Sequence, residues 1–381
     1  MRQSKRGNVD PFIVMDVLRA ANDRAAAGNS VLHLELGQPG SPAPAGVRAA
    51  AARALEQDAI GYTDALGLTD LREAIARHYK ESYNVSVTAE RVAATVGSSA
   101  GFLLTFLAAF EAGDRVALAA PGYPAYRNIL SALGIEPVLL PTTLEHRYQQ
   151  TPELLDAAGP LDGLIVASPS NPTGTILRRQ EMAELVRWCD ANGVRLVSDE
   201  IYHGISFGEP AVSALELTDQ AVVVNSLSKY FCMTGWRLGW LVLPEELLRP
   251  VECLAQNFFV SPPSLSQIAA IAAFDCHEEL RAHVASYGRK RELLLNELPK
   301  AGFEDIAPAD GAFYLYADVA RMTNDSQELC RRILAETGVA ITPGSDFDPD
   351  RGHRFVRLSF AASEADVAEA ARRLTVWGRG R

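Results

Sequence analysis

Apolar positions near the start of the chain recur at helical spacing. Over residues 11–27, Ile13, Val17 and Leu18 share one face, Pro11 suits a first turn, Asp10 is placed to cap it and Gly28 to stop it. Leu32-His33-Leu34-Glu35-Leu36 then alternates as a half-buried strand does. It ends in the turn Gly37-Gln38-Pro39-Gly40, where backbone can come close to a ligand. A helix is predicted over 43–57. Tyr62 follows in a loop between Gly61 and Gly67, and Thr69 can cap a further helix on which Leu71, Ile75 and Tyr79 recur.

From residue 92 the period changes. Short, almost continuous apolar runs alternate with helical stretches. Strands are predicted over 92–96, 115–119, 163–167, 194–197 and 221–224, with one more, expected antiparallel, over 238–243. Runs that are apolar on both faces belong in an α/β fold, here a mostly parallel seven-stranded sheet covered by helices on both sides. Ligands of such sheets lie beyond the carboxyl ends of the strands. Five of these runs end in polar motifs: Gly97-Ser98-Ser99, Pro121-Gly122-Tyr123-Pro124, Ser168-Pro169-Ser170-Asn171-Pro172-Thr173-Gly174, Ser198-Asp199-Glu200-Ile201-Tyr202 and Ser226-Leu227-Ser228-Lys229. The motifs are therefore expected to meet at one site.

The pattern shifts again near residue 277. A charged helix over 277–300, strands over 312–317 and 354–360, and helices over 326–337 and behind Ser363 predict a smaller α+β domain. The helix and strand at the start need a partner, and this smaller domain can supply it. The division expected is 46–280 for the large domain, with 1–45 and 281–381 forming the small one.

Composition narrows the function. The chain has 381 residues, 48% of them apolar, and a formal net charge of −11. An acidic surface repels polyphosphates, so neither nucleic acid nor an anionic membrane is an expected partner, and an anionic ligand must be held by local arginines. The five cysteines form no CxxC pair, no apolar leader stands at the start, and no apolar run reaches membrane-spanning length. A reducing, cytoplasmic setting is expected, and no metal.

Lys229 follows a buried run and two serines, with Arg237 eight residues on. An amine there, next to hydroxyls and a guanidinium, can bond an aldehyde and hold a phosphate, the two handles of pyridoxal 5′-phosphate. Ser98 and Ser99 at a strand-to-helix turn offer N–H groups to the same phosphate. Asp199 can keep a proton on a pyridine nitrogen, and Asn171 and Tyr202 can donate to a phenolate oxygen. Tyr123 can stack on a ring, and Arg357, in the apolar strand Phe355-Val356-Arg357-Leu358, suits a planar carboxylate. Each residue taken singly also has a plain reading: a surface lysine, a capped Gly-Ser-Ser turn, an aspartate N-cap, a turn asparagine, a packed tyrosine, an outward arginine.

Taken in order, these motifs resemble the class I/II aminotransferases, the fold-type I pyridoxal-phosphate enzymes of the aspartate aminotransferase superfamily. The likeness runs from Gly37 to Arg357. It implies that Lys229 bonds the cofactor and carries the proton between the substrate's Cα and the cofactor's C4′, with Asp199 and Tyr202 as the other catalytic groups. It implies that Ser98, Ser99, Ser226, Ser228 and Arg237 surround the phosphate, Tyr123 the ring, and Asn171 and Tyr202 the phenolate oxygen. Gly37, Asn171 and Arg357 would hold the substrate carboxylate. Tyr62 would reach the phosphate of a neighbouring subunit in a homodimer. The implied reaction moves an amino group between an L-amino acid and a 2-oxo acid by ping-pong kinetics. A carbon–sulfur β-lyase on the same fold is the alternative, although the family's lyases carry His-Asn-Pro where this chain has Ser-Asn-Pro; a non-enzymatic regulator is the remote one. Two departures, Tyr123 for a tryptophan and Ser99 for a lysine, leave a neutral donor (alanine, an aromatic or a branched residue) at least as well supported as aspartate.

Overall fold

Twelve strands are formed among the residues that the computed structural model describes, 4–57 and 59–380. In chain order they are β1 (Leu32–His33), β2 (Val92–Thr95), β3 (Arg115–Ala120), β4 (Glu136–Pro141), β5 (Gly163–Ala167), β6 (Arg195–Asp199), β7 (Val222–Ser226), β8 (Gly239–Val242), β9 (Tyr314–Asp318), β10 (Val339–Ala340), β11 (Thr342–Pro343) and β12 (Phe355–Ser359). Seven make one sheet in the order β2-β8-β7-β6-β5-β3-β4. All its neighbouring pairs are parallel except those of β8, which runs against both β2 and β7. The valine-rich runs are buried on both faces, as the sequence pattern requires: Val223 belongs to the apolar cluster on one side, Val222 and Val224 to the one on the other. Each valine so enclosed contributes about 1.5–3 kcal/mol.

The seventh strand, β4, is not among those the apolar pattern marks. Its segment Glu136-Pro137-Val138-Leu139-Leu140-Pro141 pairs only with β3 and is largely part-exposed. Prolines are tolerated on such an edge and hide its strand character.

The direction of β8 shapes the site. Gly239, at its start, is registered with both Ser226 at the end of β7 and Thr95 at the end of β2. Residues preceding β8, Arg237 among them, are thereby delivered to the edge where the parallel strands finish. The approach is close enough to require glycine: a Cβ on Gly239 would stand 2.8 Å from the Asn225 carbonyl oxygen and 2.9 Å from the Ser98 nitrogen. Ala167, Asp199 and Val224 are likewise in register across β5, β6 and β7, so the turns that follow these strands begin side by side.

The ends of the chain meet. β1 pairs in parallel with β10, Leu32 opposite Val339, and β9, β11 and β12 form a three-stranded antiparallel sheet. The Ser359 N–H donates to the Leu34 carbonyl at 2.7 Å, and Leu32, Leu34, Leu315, Val339 and Leu358 share one apolar cluster.

Two helix starts differ from expectation. The first helix runs Ile13–Ala26 with no side-chain cap from its own neighbourhood, so Asp10 does not cap it. The carboxylate of Asp346 accepts from the Ile13 and Val14 N–H groups instead, each at 3.1 Å. The helix Thr69–Tyr83 likewise lacks the expected Thr69 cap; Gln267 accepts from the Leu68 N–H at 2.7 Å. In both cases a distant side chain supplies the acceptor. The last helix, Glu364–Arg379, is capped by Ser363, which accepts from Asp366 N at 3.1 Å. Among the described residues no helix is long and apolar enough to cross a membrane.

Candidate active site

At the carboxyl edge of the large sheet, beside the smaller one, lies a cavity of about 230 Å³. Gly37, Ser98, Ser99, Tyr123, Asn171, Asp199, Tyr202, Ser228, Lys229, Arg237 and Arg357 all line it. Two other residues singled out in the sequence do not. Ser226 is buried beneath, its hydroxyl donating to the Leu238 carbonyl and accepting from the Ser228 N–H at 3.0 Å. Tyr62 is 87% exposed on the surface.

Lys229 projects from the loop after β7, and its Nζ donates to the Gly37 carbonyl at 2.6 Å. Desolvation in the cleft, with Arg357 and Arg237 nearby, lowers its pKa to about 8 from an ordinary 10.5. Below pH 8 the amine is mostly charged and unreactive; above it, a neutral nucleophile. Reductive alkylation of the cofactor-free protein by a small aldehyde and borohydride is expected to label Lys229 with a midpoint near pH 8. A midpoint near that of the surface lysines would contradict the desolvated setting.

Asp199 ends β6 and is buried. Burial pushes its carboxyl up to about 6, opposed by the hydroxyl of Tyr126, which donates to Oδ2, and by the Ile201 N–H at 3.0 Å from Oδ1. The neighbouring Glu200 turns away and is satisfied by Ser198, Ser213 and the Ala214 N–H. Tyr202 shares a 2.7 Å hydrogen bond with Tyr314, and its ring centre lies 5.8 Å from Lys229 Nζ.

At the other end, Ser98 and Ser99 occupy the first turn of the 13-residue helix Gly97–Ala109. Gly97 takes φ +71, and a Cβ there would collide with the Arg237 guanidinium, so glycine leaves room for the arginine to reach the turn. Arg237 itself sits at φ 53 and donates to the Thr234 carbonyl at 3.0 Å. A cation and a helix N-terminus together make a site for a dianion.

Arg357, in the middle of β12, is 3% exposed. Its Nη1 donates to Asn171 Oδ1 at 2.9 Å and its Nη2 to the Glu35 carbonyl and, at 3.3 Å, to Thr342 Oγ1. The guanidinium is fixed between the rings of Tyr314 (4.5 Å) and Phe347 (4.7 Å), while Nε has no partner. A buried guanidinium with a spare donor is set up for an anion. Much of the remaining wall is apolar, with Phe12, Val14, Met15, Leu36 and Ile201, while Gln38 and Thr234 add polar groups.

Sequence reasoning missed Tyr126, Tyr314 and Thr234. Tyr126 had a signal: it falls three residues after Tyr123 and opens the same helix turn, so both tyrosines lie 5.3 Å apart. Tyr314 reads as one more residue of an apolar strand, and nothing local marks its hydroxyl. Among the described residues no cluster of histidine, cysteine, aspartate or glutamate is placed to hold a metal ion.

The family model of aminotransferase class I and II matches residues 29–374 of this chain. Valine–pyruvate aminotransferase of Mycobacterium tuberculosis is 51% identical over 381 residues, covering 99% of this chain and 98% of that protein. A crystal structure of an aminotransferase from Mycobacterium tuberculosis superposes with a TM-score of 0.98 at 51% identity, covering 100% of both chains. The aspartate aminotransferase from Thermus thermophilus with maleate superposes with a TM-score of 0.93 at 31% identity, covering 99% of this chain and 100% of that one.

Proposed function

Because this chain belongs to the class I and II aminotransferases and is a transaminase of amino acids and 2-oxo acids, we propose that its amino donor is aliphatic, valine or alanine, with pyruvate as an oxo-acid partner. The observation that carries this reading is the apolar wall of Phe12, Val14, Met15, Leu36 and Ile201. Lys229, Arg237 and Arg357 are the cations lining the cavity, and each has another task in this reading, so a second carboxylate would be buried unpaired. The printed activity of the 51%-identical mycobacterial relative supports the same choice.

The family depends on pyridoxal 5′-phosphate, and the residues present fit it: a desolvated amine, a buried carboxylate and a phosphate-sized cradle share one cleft. When bound, that cofactor supplies an aldehyde for the amino group and a ring that accepts electrons from Cα. Lys229 would hold the aldehyde and would serve as the base that moves the proton at Cα. Asp199, oriented by Tyr126, holds the proton on the ring nitrogen. Asn171 and Tyr202 donate to the phenolate oxygen, Tyr202 being itself positioned by Tyr314. Tyr123 stacks on the ring. Ser98, Ser99, Ser228 and Arg237 hold the phosphate, with Ser226 bracing the loop from beneath. Arg357, with Asn171 and the backbone at Gly37, takes the donor carboxylate. The two half-reactions use the same groups in opposite order, hence ping-pong kinetics.

The exposed Tyr62 fits a homodimer in which it completes the partner's phosphate site; the exposed apolar residues Ile60, Phe258 and Val260 support a subunit contact. Five free thiols, three of them buried, support a reducing cytoplasm.

A donor panel in single turnover, read by the absorbance of the bound cofactor, tests the specificity. Valine and alanine should convert it, and aspartate should trail valine by about a hundredfold or more in kcat/KM. Parity of aspartate with valine would overturn the aliphatic reading, and release of pyruvate, ammonia and homocysteine from cystathionine in place of transamination would favour the lyase.

A further inference from the structure

The helix Ile13–Ala26 brings Val14 and Met15 into the cavity wall, with Phe12 just ahead of it. Val14 and Ala21 are its buried residues, Ala21 and Val17 pack with Leu334 and Ala340 toward its far end, and Met15 is 48% exposed. Its start is fixed from far away. Asp346 spends both carboxylate oxygens on it, Oδ1 at 3.1 Å from the Ile13 nitrogen and Oδ2 at 3.1 Å from the Val14 nitrogen. Asp346 is fully buried in the loop after β11, and Arg127 donates to its carbonyl oxygen at 2.9 Å.

The next residue is Phe347, whose ring covers the Arg357 guanidinium at 4.7 Å. One dipeptide thus touches both the start of the wall helix and the arginine at the carboxylate end of the pocket. A carboxylate on the first N–H groups of a helix is ordinary capping chemistry. A purely structural cap would serve as well from position 12, where Phe12 offers no acceptor. This one comes from 333 residues away, beside the substrate arginine, and so it sets the distance between arginine and wall.

We propose that Asp346 is a specificity-positioning residue, holding Phe12, Val14 and Met15 at the depth that admits an aliphatic side chain once the donor carboxylate is on Arg357. The proposal rests on the aliphatic-donor reading above. Asp346 touches no reacting atom; it acts through the helix. Losing it should loosen the wall and leave the chemistry intact.

The test uses the cofactor-loaded enzyme with Asp346→Ala and Asp346→Asn. Asp346→Ala should raise the KM for valine about tenfold, the scale of a lost cap, and the KM for alanine, with its single methyl group, by less than about twofold. The kcat values should stay within about twofold, since no transition-state contact is removed. Asp346→Asn keeps one acceptor and should fall between. Hydrogen exchange at the Ile13 and Val14 amides should quicken in Asp346→Ala. Equal KM increases for valine and alanine, or a fall in kcat at constant KM, would overturn the positioning role. Unchanged exchange would sink the clamp by itself, whatever the donor. Rejection of valine by the unsubstituted enzyme would instead sink the donor reading, and the aliphatic part of this proposal with it.

Discussion

Lys229→Ala should lower single-turnover transamination by at least about a thousandfold. In the proposed role the side chain would carry two tasks at once, holding the aldehyde and moving the proton at Cα. Lys229 is the amine lining the cavity, and its low pKa of about 8 suits it to exchange protons near neutral pH. The fold should be undisturbed. The ammonium's hydrogen bond is to the Gly37 carbonyl, and a desolvated amine contributes nothing that its removal would cost. Circular dichroism and melting of the cofactor-free variant should therefore match or exceed those of the cofactor-free unsubstituted protein, while the absorbance change of the loaded enzyme on mixing with valine disappears. A variant turning over at near-normal rate would show that another group moves the proton.

Arg357→Lys should be the next most damaging change, lowering kcat/KM by about a hundred- to a thousandfold, chiefly through KM. The charge survives, but the planar fork does not. In the structure that fork lies between Tyr314 and Phe347 and donates to Asn171, Glu35 and Thr342, which fixes its plane before any substrate arrives. An ammonium on a flexible stem cannot present two parallel donors to a carboxylate. Truncation to alanine would be a poorer test, since it strands buried acceptors at about 1–3 kcal/mol each and endangers the fold. A donor without a carboxylate, such as 2-methylpropylamine, supplies the control. It should be equally poor with both enzymes. An unchanged KM for valine in Arg357→Lys would place the carboxylate elsewhere.

Much of this architecture could be read from the chain because the parallel strands announce themselves locally. Runs such as Val222-Val223-Val224 are buried on both faces, so they stay apolar throughout, and each ends where chemistry begins. β4 escaped because an edge strand needs no second apolar face and tolerates prolines at its ends. The helix starts at Ile13 and Thr69 differ from the local pattern for another reason. Asp10 and Thr69 are the acceptors at hand in sequence, whereas Asp346 and Gln267 supply them from elsewhere in the fold. The pocket shows the same division. Lys229, Asp199 and Arg237 follow strands within recognisable motifs. Tyr126 and Tyr314 act by orienting Asp199 and Tyr202, and such support depends on which elements become neighbours. Ser226 shows the converse, a motif serine whose hydroxyl faces backbone beneath the pocket.

The pairing of the two ends of the chain bears on how this enzyme is made. Thr342 meets the Glu35 carbonyl across 307 residues, and the Ile13 amide meets Asp346 across 333. A ribosome adding about 5–20 residues per second must work for roughly 15–60 s after Glu35 emerges before that residue's partner exists. Through that interval Leu32 and Leu34 lack their backbone partners in β10 and β12, while the central sheet can already form. Arg357, which donates to the same Glu35 carbonyl, follows it by 322 residues and emerges later still. A chain terminated before Thr342 therefore lacks the partner of Glu35, and its exposed leucines suit it to chaperones or proteases.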